Sequence, residues 1–312
     1  MKKVLRIGTR DSQLAVWQAT HVQQLLKDKN IESELVYIKS DGDIDLVTPL
    51  YEIGVQGVFT KTLDAALLGN KIDIAVHSMK DVPTQLAKGI TQAAVLPRAN
   101  YKDILVYKNE SIVNDNFQFP ASGSRLIIAT SSIRRKAQWL NRFPNHQIEN
   151  LRGNVNTRLK KVEENNWDGA IFAAAGLERI HLRPKNAVEL DWMLPAPAQG
   201  AIVVVCKEDD TEAKNICALL NDKSTALCTK IERDFLRTLM GGCSTPISAL
   251  AKIENNEVHF KGNIFSLDGK EKKEIETVAN KNNCENVGVT AAEKLLQQGA
   301  GKIVETIQNA GK

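Results

Sequence analysis

The sequence has few cysteines, and their positions argue against two kinds of scaffold. Its 312 residues contain five, at positions 206, 217, 228, 243 and 284, with no C-x-x-C pair. An odd number gives poor support to a disulfide framework, and the missing pair gives poor support to a zinc site. We therefore expect no metal, and reduced thiols in a cytoplasmic protein.

Long apolar runs, nucleotide motifs and strong net charge are also missing. No stretch approaches the ~18 apolar residues of a membrane helix, and residues 4–10 lack the apolar core of a signal peptide. No G-x-G-x-x-G opens a predicted helix, and there is no Walker lysine. The net charge of +4 comes without a basic run. These absences predict that neither a membrane nor a nucleic acid is a partner.

What the sequence does contain is a repeated alternation of strand and helix patterns. With 43% hydrophobic residues, the chain is long enough for two or three domains. Strand patterns alternate with helix patterns, which predicts mostly parallel sheets with ligands beyond the carboxyl ends of the strands. The predicted strands are 4–8, 72–78, 126–130, 168–173 and 201–205, and the predicted helices are 60–68, 133–140, 155–165 and one that Asp11 or Ser12 caps.

The order of these patterns predicts an α/β fold with two doubly wound lobes and a smaller α+β third domain. Two crossovers, at 96–100 and 194–200, separate the lobes, and the strand at 201–205 returns to the first sheet. The third region begins with a helix at 229–240, has a hairpin turn at Asp268-Gly269 and ends with a helix at 285–298. The predicted boundaries are 1–99 plus about 200–219 for lobe 1, 100–199 for lobe 2, and 222–312 for the third domain.

Arginines stand at the predicted ends of strands and starts of helices. Arg134 and Arg135 occupy the first turn of a helix, where positive charge is unfavourable unless an anion compensates it. A single arginine is most often solvated surface, but together they indicate a cleft for a ligand with several acidic groups. The set is Arg10, Arg134, Arg135, Arg152, Arg158 and Arg179.

Two further motifs carry groups suited to chemistry. His77–Pro83 places Lys80 and Asp81 at the end of a predicted strand, where the alternative is a cap or a salt bridge. Cys243 follows two glycines on a turn, where it is either a thiol presented to a ligand or an inert buried one.

Six stretches together resemble the porphobilinogen deaminase family over essentially the whole chain. They are 7–15, 77–83, 130–135, 151–158, 194–201 and 241–247. The resemblance implies two lobes like those of bilobal solute-binding proteins, and a monomer. It also implies a transferase of tetrapyrrole biosynthesis that joins four porphobilinogen molecules head to tail, releasing ammonia, on a dipyrromethane cofactor.

The resemblance implies a role for each matching residue. Asp81 matches the catalytic aspartate, and Cys243 matches the cysteine that carries dipyrromethane through a thioether. Cofactor binding is implied for Lys80, Ser132, Arg134, Arg135 and Gln199, and substrate binding for Arg10, Ser12, Arg152, Arg158 and Arg179. The chain departs from the family pattern at Gln56, Met240 and Cys206.

A second class of protein also fits the arginine cleft. A cytoplasmic bilobal sensor for an acidic small molecule would use these arginines but would need neither Cys243 nor Asp81. Only the enzyme is expected to carry covalent pyrroles, so the mass of the intact protein distinguishes the two.

Overall fold

A computed structural model describes residues 4–39, 60–108, 125–239 and 245–310. Within these ranges the strands are β1 (Leu5–Thr9), β2 (Ser33–Tyr37), β3 (Ile74–Ser78), β4 (Ile90–Val95), β5 (Asp103–Tyr107), β6 (Ile127–Ala129), β7 (Gln147–Glu149), β8 (Gly169–Ala173), β9 (Ala187–Glu189), β10 (Ile202–Lys207), β11 (Ile247–Glu254), β12 (Glu257–Phe265) and β13 (Lys272–Asn280). The α-helices are α1 (Gln13–Lys27), α2 (Lys61–Leu68), α3 (Ile133–Arg142), α4 (Val155–Glu164), α5 (Ala174–Arg179), α6 (Thr211–Ala218), α7 (Lys223–Leu239), α8 (Val287–Leu295) and α9 (Gly301–Ala310).

Two five-stranded sheets share one strand order. The first runs β2-β1-β3-β10-β4 and the second runs β7-β6-β8-β5-β9. In each, three parallel strands are followed by one antiparallel strand that the chain enters from a crossover. The prediction that the strand after residue 200 returns to the first sheet is confirmed, because β10 pairs with β3 and β4.

The two sheets also share a local contact. The backbone N–H of Arg6 donates to the carboxylate of Asp73 at 2.9 Å, and that of Ile127 donates to Asp168 at 2.7 Å. In lobe 1 the aspartate just before β3 binds the start of β1, and in lobe 2 the aspartate just before β8 binds the start of β6. The two lobes therefore have related architectures, as the sequence pattern predicts.

The third sheet, β11-β12-β13, is antiparallel and packs one face on α7, α8 and α9. The predicted turn at Asp268-Gly269 joins β12 to β13, and Gly269 has a φ of +76°. A Cβ there would lie 2.4 Å from the carbonyl oxygen of Ala137 in α3. The hairpin turn thus reaches lobe 2, where Asn141 donates to the Gly269 carbonyl at 2.8 Å.

One predicted helix boundary in the third domain is wrong, and one helix was not predicted. The helix predicted to begin at Thr229 begins at Lys223, because the Asp222 carboxylate accepts from the Thr225 N–H and caps it there. The helix predicted at 285–298 corresponds to α8, and a further helix, α9, follows Gly299, whose φ of +96° separates the two. Each sheet takes its strands from one of the predicted domain ranges, which we retain as proposed boundaries. No helix within the described ranges has the length and apolar character to cross a membrane.

Candidate active site

The predicted site residues follow the carboxyl ends of the parallel strands in both lobes. In lobe 1, Arg10 follows β1, and Lys80 and Asp81 follow β3 in a 3₁₀ turn, Met79–Asp81. In lobe 2 the corresponding residues follow β6, β7 and β8, and they are Ser132, Arg134, Arg135, Arg152, Arg158 and Arg179. Because parallel strands of one sheet end at one edge, each lobe gathers its polar groups at a single edge.

A chain of hydrogen bonds joins the two lobes at this site. Lys80 Nζ donates to Gln199 Oε1 at 3.2 Å, and Gln199 Nε2 donates to Asp103 Oδ1 at 2.9 Å and to the Tyr101 carbonyl at 2.8 Å. Gln199 is 1% exposed. Burial, with Arg135 and Arg134 nearby, lowers the pKa of Lys80 to about 8, although Asp81 opposes the shift.

Asp103, the first residue of β5, holds two arginines side by side. Arg135 donates to Asp103 Oδ1 through Nε and Nη2, at 3.0 and 2.8 Å, and Arg134 Nη2 lies 2.8 Å from Oδ2. Burial alone would raise the pKa of Asp103, but the two guanidinium groups lower it to about 2. One carboxylate thus faces two buried positive charges.

The two arginines differ in how their nitrogens are occupied. All three of the Arg135 side-chain nitrogens are engaged, since Nη1 donates to the Ile171 carbonyl at 2.9 Å. Arg134 Nη1 donates to the Leu194 carbonyl at 2.8 Å, whereas its buried Nε has no hydrogen-bond partner within the described part of the chain. A buried donor in this state needs an acceptor.

Arg158 brings the positive charge of lobe 2 close to the Asp81 turn. Its Nε donates to the Gly153 carbonyl at 2.7 Å. Burial and the charge of Arg135 lower the pKa of Arg158 to about 10, with Asp81 opposing the shift and Arg152 adding to it. Arg152 itself is 4% exposed. The cations therefore repel one another, which favours an anionic ligand among them.

The remaining predicted residues lie around this cluster. Arg179 donates through Nη2 to the Gly200 carbonyl at 2.7 Å and covers the Trp17 ring at 5.8 Å. Arg10 lies near buried His77, where burial and the Arg10 charge lower the pKa of His77 to about 4. Ser12 is the N-cap residue of α1, and Ser132 caps α3 by accepting from the Arg135 N–H at 3.4 Å.

A buried ion pair beside the site was missed by the sequence analysis. Glu232 of α7 is fully buried and accepts from Arg98 Nη1 at 2.5 Å and Nη2 at 3.1 Å. It also accepts from the backbone N–H groups of Ala198 and Ala251. Glu232 therefore joins both crossovers to the third sheet. One signal was present, because Glu232 occupies a position of the apolar stripe formed by Cys228, Ile231, Phe235 and Leu239.

Three of the predictions concern residues outside the described ranges. These are the cofactor role of Cys243 and the family departures at Gln56 and Met240. The other four cysteines are buried in two of the domain cores, Cys206 and Cys217 in lobe 1 and Cys228 and Cys284 in the third domain. Burial raises the pKa of Cys206 to about 11, of Cys217 to about 12 and of Cys228 to about 11, so these thiols are poor nucleophiles near neutral pH.

The fold and the site define a class: a two-lobed α/β protein with a smaller third domain and a cluster of buried cations where the two lobes meet. Residues 5–215 match the family model described as "Porphobilinogen deaminase, dipyromethane cofactor binding domain", and residues 226–297 match "Porphobilinogen deaminase, C-terminal domain". The chain belongs to the porphobilinogen deaminase family.

Similar proteins match nearly end to end. A porphobilinogen deaminase of Chlorobium phaeobacteroides (strain BS1) is 39% identical, with 99% of each chain covered. One of Syntrophomonas wolfei subsp. wolfei is 40% identical, covering 96% of this chain and 97% of that protein. Among solved structures, the methionine-binding protein MetQ has a TM-score of 0.43 at 15% identity, covering 69% of this chain and 89% of that chain.

Proposed function

We propose that this protein condenses four porphobilinogen molecules head to tail into the linear tetrapyrrole hydroxymethylbilane, with release of ammonia at each addition. The observation that carries the proposal is that the turn with Lys80 and the Asp81 carboxylate lies next to the buried arginine cluster of lobe 2. A substrate whose pyrrole ring bears acetate and propionate needs cations for its carboxylates and an anion for its ring N–H. Membership of the family and near full-length relatives support the same conclusion.

The residues present fit a dipyrromethane cofactor. Four cations, Lys80, Arg134, Arg135 and Arg158, lie near two carboxylates, Asp81 and Asp103, so positive charge is in excess, and the buried Nε of Arg134 has no hydrogen-bond partner within the described residues. Lys80, Ser132, Arg134, Arg135 and Gln199 would hold the carboxylates of the cofactor. When bound, the cofactor supplies the pyrrole position from which the chain grows.

Asp81 is the proposed catalytic group. It is exposed at the carboxyl end of β3, and Arg158 contributes a positive charge nearby. Loss of ammonia from porphobilinogen leaves positive charge spread over the pyrrole ring and its nitrogen. A fixed carboxylate beside that N–H would stabilise the charge and align the ring for attack.

Arg10, Ser12, Arg152, Arg158 and Arg179 are the proposed binding residues for the substrate carboxylates. Each follows the carboxyl end of one of the parallel strands β1, β7 and β8. Guanidinium groups bind carboxylates through paired hydrogen bonds. The spacing of the arginines would therefore recognise the acetate and propionate groups on the pyrrole rather than the ring itself. We also infer that the protein acts as a cytoplasmic monomer without nucleic-acid or membrane partners.

Cys243 is the proposed attachment point of the cofactor, through a thioether. A primer that survives repeated rounds of elongation needs a link that resists cellular thiols, which a disulfide would not. The choice of Cys243 is supported by elimination, since Cys206, Cys217, Cys228 and Cys284 are buried in cores.

The test combines the mass of the intact protein with turnover. Purified protein is expected to exceed its sequence mass by two linked pyrrole units, located on Cys243 by peptide mapping, and to consume porphobilinogen. Cys243→Ala is expected to lack both properties. Cys217→Ala is the matched control, because it removes a thiol from a core and should retain both. An active protein with unmodified Cys243 would refute the attachment, and an unmodified protein that binds porphobilinogen without consuming it would indicate a sensor.

A further inference from the structure

Arg233 belongs to α7 of the third domain, but its side chain binds the backbone of the Asp81 turn in lobe 1. Nη1 donates to the carbonyl oxygens of Met79 at 3.2 Å and Val82 at 2.9 Å, and Nη2 donates to that of Pro83 at 2.5 Å. These three carbonyl groups lie on both sides of Lys80 and Asp81 in the chain. One guanidinium group therefore holds the segment that presents the proposed catalytic carboxylate.

The turn is short. Its 3₁₀ segment spans three residues, Met79–Asp81, and at its end the Val82 N–H donates to the Met79 carbonyl at 3.2 Å. Carbonyl groups at the end of a helical turn need donors from elsewhere, and a cation is favoured there. Arg233 supplies both, and its planar fork reaches several acceptors at once, which a lysine ammonium does not do in the same geometry.

The helix that carries Arg233 is itself firmly placed. The preceding residue, Glu232, is buried and accepts four hydrogen bonds, from Arg98, Ala198 and Ala251. On the other side of the turn, the Met79 N–H donates to the Ala201 carbonyl at 3.0 Å. The turn is thus held between Ala201, the residue before β10 of its own lobe, and a helix whose position the ion pair fixes.

We infer that Arg233 is a positioning residue, which sets the place of the Asp81 carboxylate during the reaction without contacting the substrate. This inference rests on the proposed function. The competing account is that Arg233 merely ties the third domain to lobe 1. The two accounts differ in one respect: positioning requires that the effect of Arg233 on turnover pass through Asp81.

The experiment measures kcat and KM for porphobilinogen in Arg233→Ala, with Arg237→Ala as the matched control. Arg237 lies one turn further along α7, has a side chain 57% exposed and pairs only with Asp234 among the residues described. For Arg233→Ala we expect kcat to fall about 10- to 100-fold, because small displacements of a catalytic group are costly. KM should change less than about threefold, and the covalent adduct should remain. Arg237→Ala should match the wild type.

A double-mutant cycle with Asp81→Asn distinguishes the positioning role of Arg233 from a role that only ties the third domain to lobe 1. If Arg233 acts through Asp81, adding Arg233→Ala to Asp81→Asn should lower residual kcat less than about twofold further. Full multiplication of the two single effects, or an unchanged kcat in Arg233→Ala, would overturn the inference. If Arg233→Ala does not fold, the same cycle with Arg233→Lys decides, with a smaller loss of kcat expected. A wild type that does not consume porphobilinogen would instead refute the proposed function.

Discussion

Asp81 and Lys80 are neighbours in one turn and have different roles in the proposed reaction. Asp81→Asn keeps the size of the side chain and one accepting oxygen, but it replaces the other oxygen by a donating NH2 group and removes the charge. Since Asp81 is exposed, folding should be unaffected. Loss of one preorganised electrostatic group typically lowers the rate about 10²- to 10³-fold, so we expect turnover to fall by that amount. Steady-state kinetics on protein with a wild-type thermal midpoint checks this, and near-normal turnover would contradict the catalytic role.

Lys80 provides a prediction whose sign depends on the cofactor. Burial lowers the pKa of Lys80 to about 8 in the folded protein, below its ordinary 10.5. Keeping this lysine charged in the folded protein lowers the free energy of unfolding. The full penalty applies below about pH 8, and it disappears as the pH rises toward 10.5. In cofactor-free protein, made as Cys243→Ala, Lys80→Met should therefore stabilise the fold at pH 7, by up to about 2 kcal/mol after screening. The gain should shrink by pH 10.

With the cofactor bound, the same substitution should have the opposite effect. A bound carboxylate would pair with the ammonium group, so Lys80→Met should then destabilise the protein or reduce cofactor loading. Thermal unfolding of both forms measures the difference, with Lys88→Met as the control because Lys88 is exposed outside the site. Stabilisation of equal size in both forms would show that Lys80 does not hold the cofactor.

At the scale of single elements, α7 does more than its sequence pattern suggests. Its apolar stripe packs into the third core, while Glu232 and Arg233 reach the crossovers and lobe 1. Removing one partner of a buried ion pair leaves a buried charge, which typically costs 3–5 kcal/mol. We expect Glu232→Gln, which keeps the shape, to lower the free energy of unfolding by about 2–4 kcal/mol.

The control for Glu232→Gln is an exposed ion pair of the same type. Glu276 pairs with Lys261 at 2.8 Å, and both side chains are more than half exposed. Glu276→Gln should change the free energy of unfolding by less than about 1 kcal/mol. Chemical denaturation measures both variants. Equal losses would mean that the Arg98–Glu232 pair does not hold the domains together.

The elements that sequence reasoning predicted well are those set by local patterns. The five predicted strands correspond to β1, β3, β6, β8 and β10, and the start of α3 follows from its cap residue, Ser132, whereas β2, β4, β5, β7 and β9 were not predicted. The start of α7 was predicted late because its first turn, Lys223–Thr225, is polar and the pattern begins only further on. The sequence pattern and the resemblance both singled out the arginines and Asp81 as candidates, but neither indicated the contacts of Asp103 or Arg233. Those contacts join residues more than thirty positions apart, and no local pattern encodes them.

For the whole molecule, the central constraint is the balance of charge between the lobes. A cofactor of two rings extended by four gives six rings, each with two carboxylates, or about a dozen negative charges. The proposed binding cations are one lysine and six arginines, and Asp103 already neutralises part of the charge of two of them. The cleft therefore cannot pair every carboxylate at once, so the chain must shift, or expose part of itself, as it grows.

Arginines at different places should accordingly matter at different stages of elongation. Arg134 lies beside Asp103, which the hydrogen bonds from Lys80 reach through Gln199, whereas Arg179 lies by Gly200 and Trp17. We expect Arg134→Gln to impair cofactor loading and the first additions, and Arg179→Gln to stall a longer intermediate. Intact-mass spectra taken during turnover resolve the enzyme with each number of added rings. If both variants gave the same distribution of intermediates, the two arginines would bind the growing pyrrole chain in one fixed position. That result would refute the hypothesis that the chain shifts as it grows.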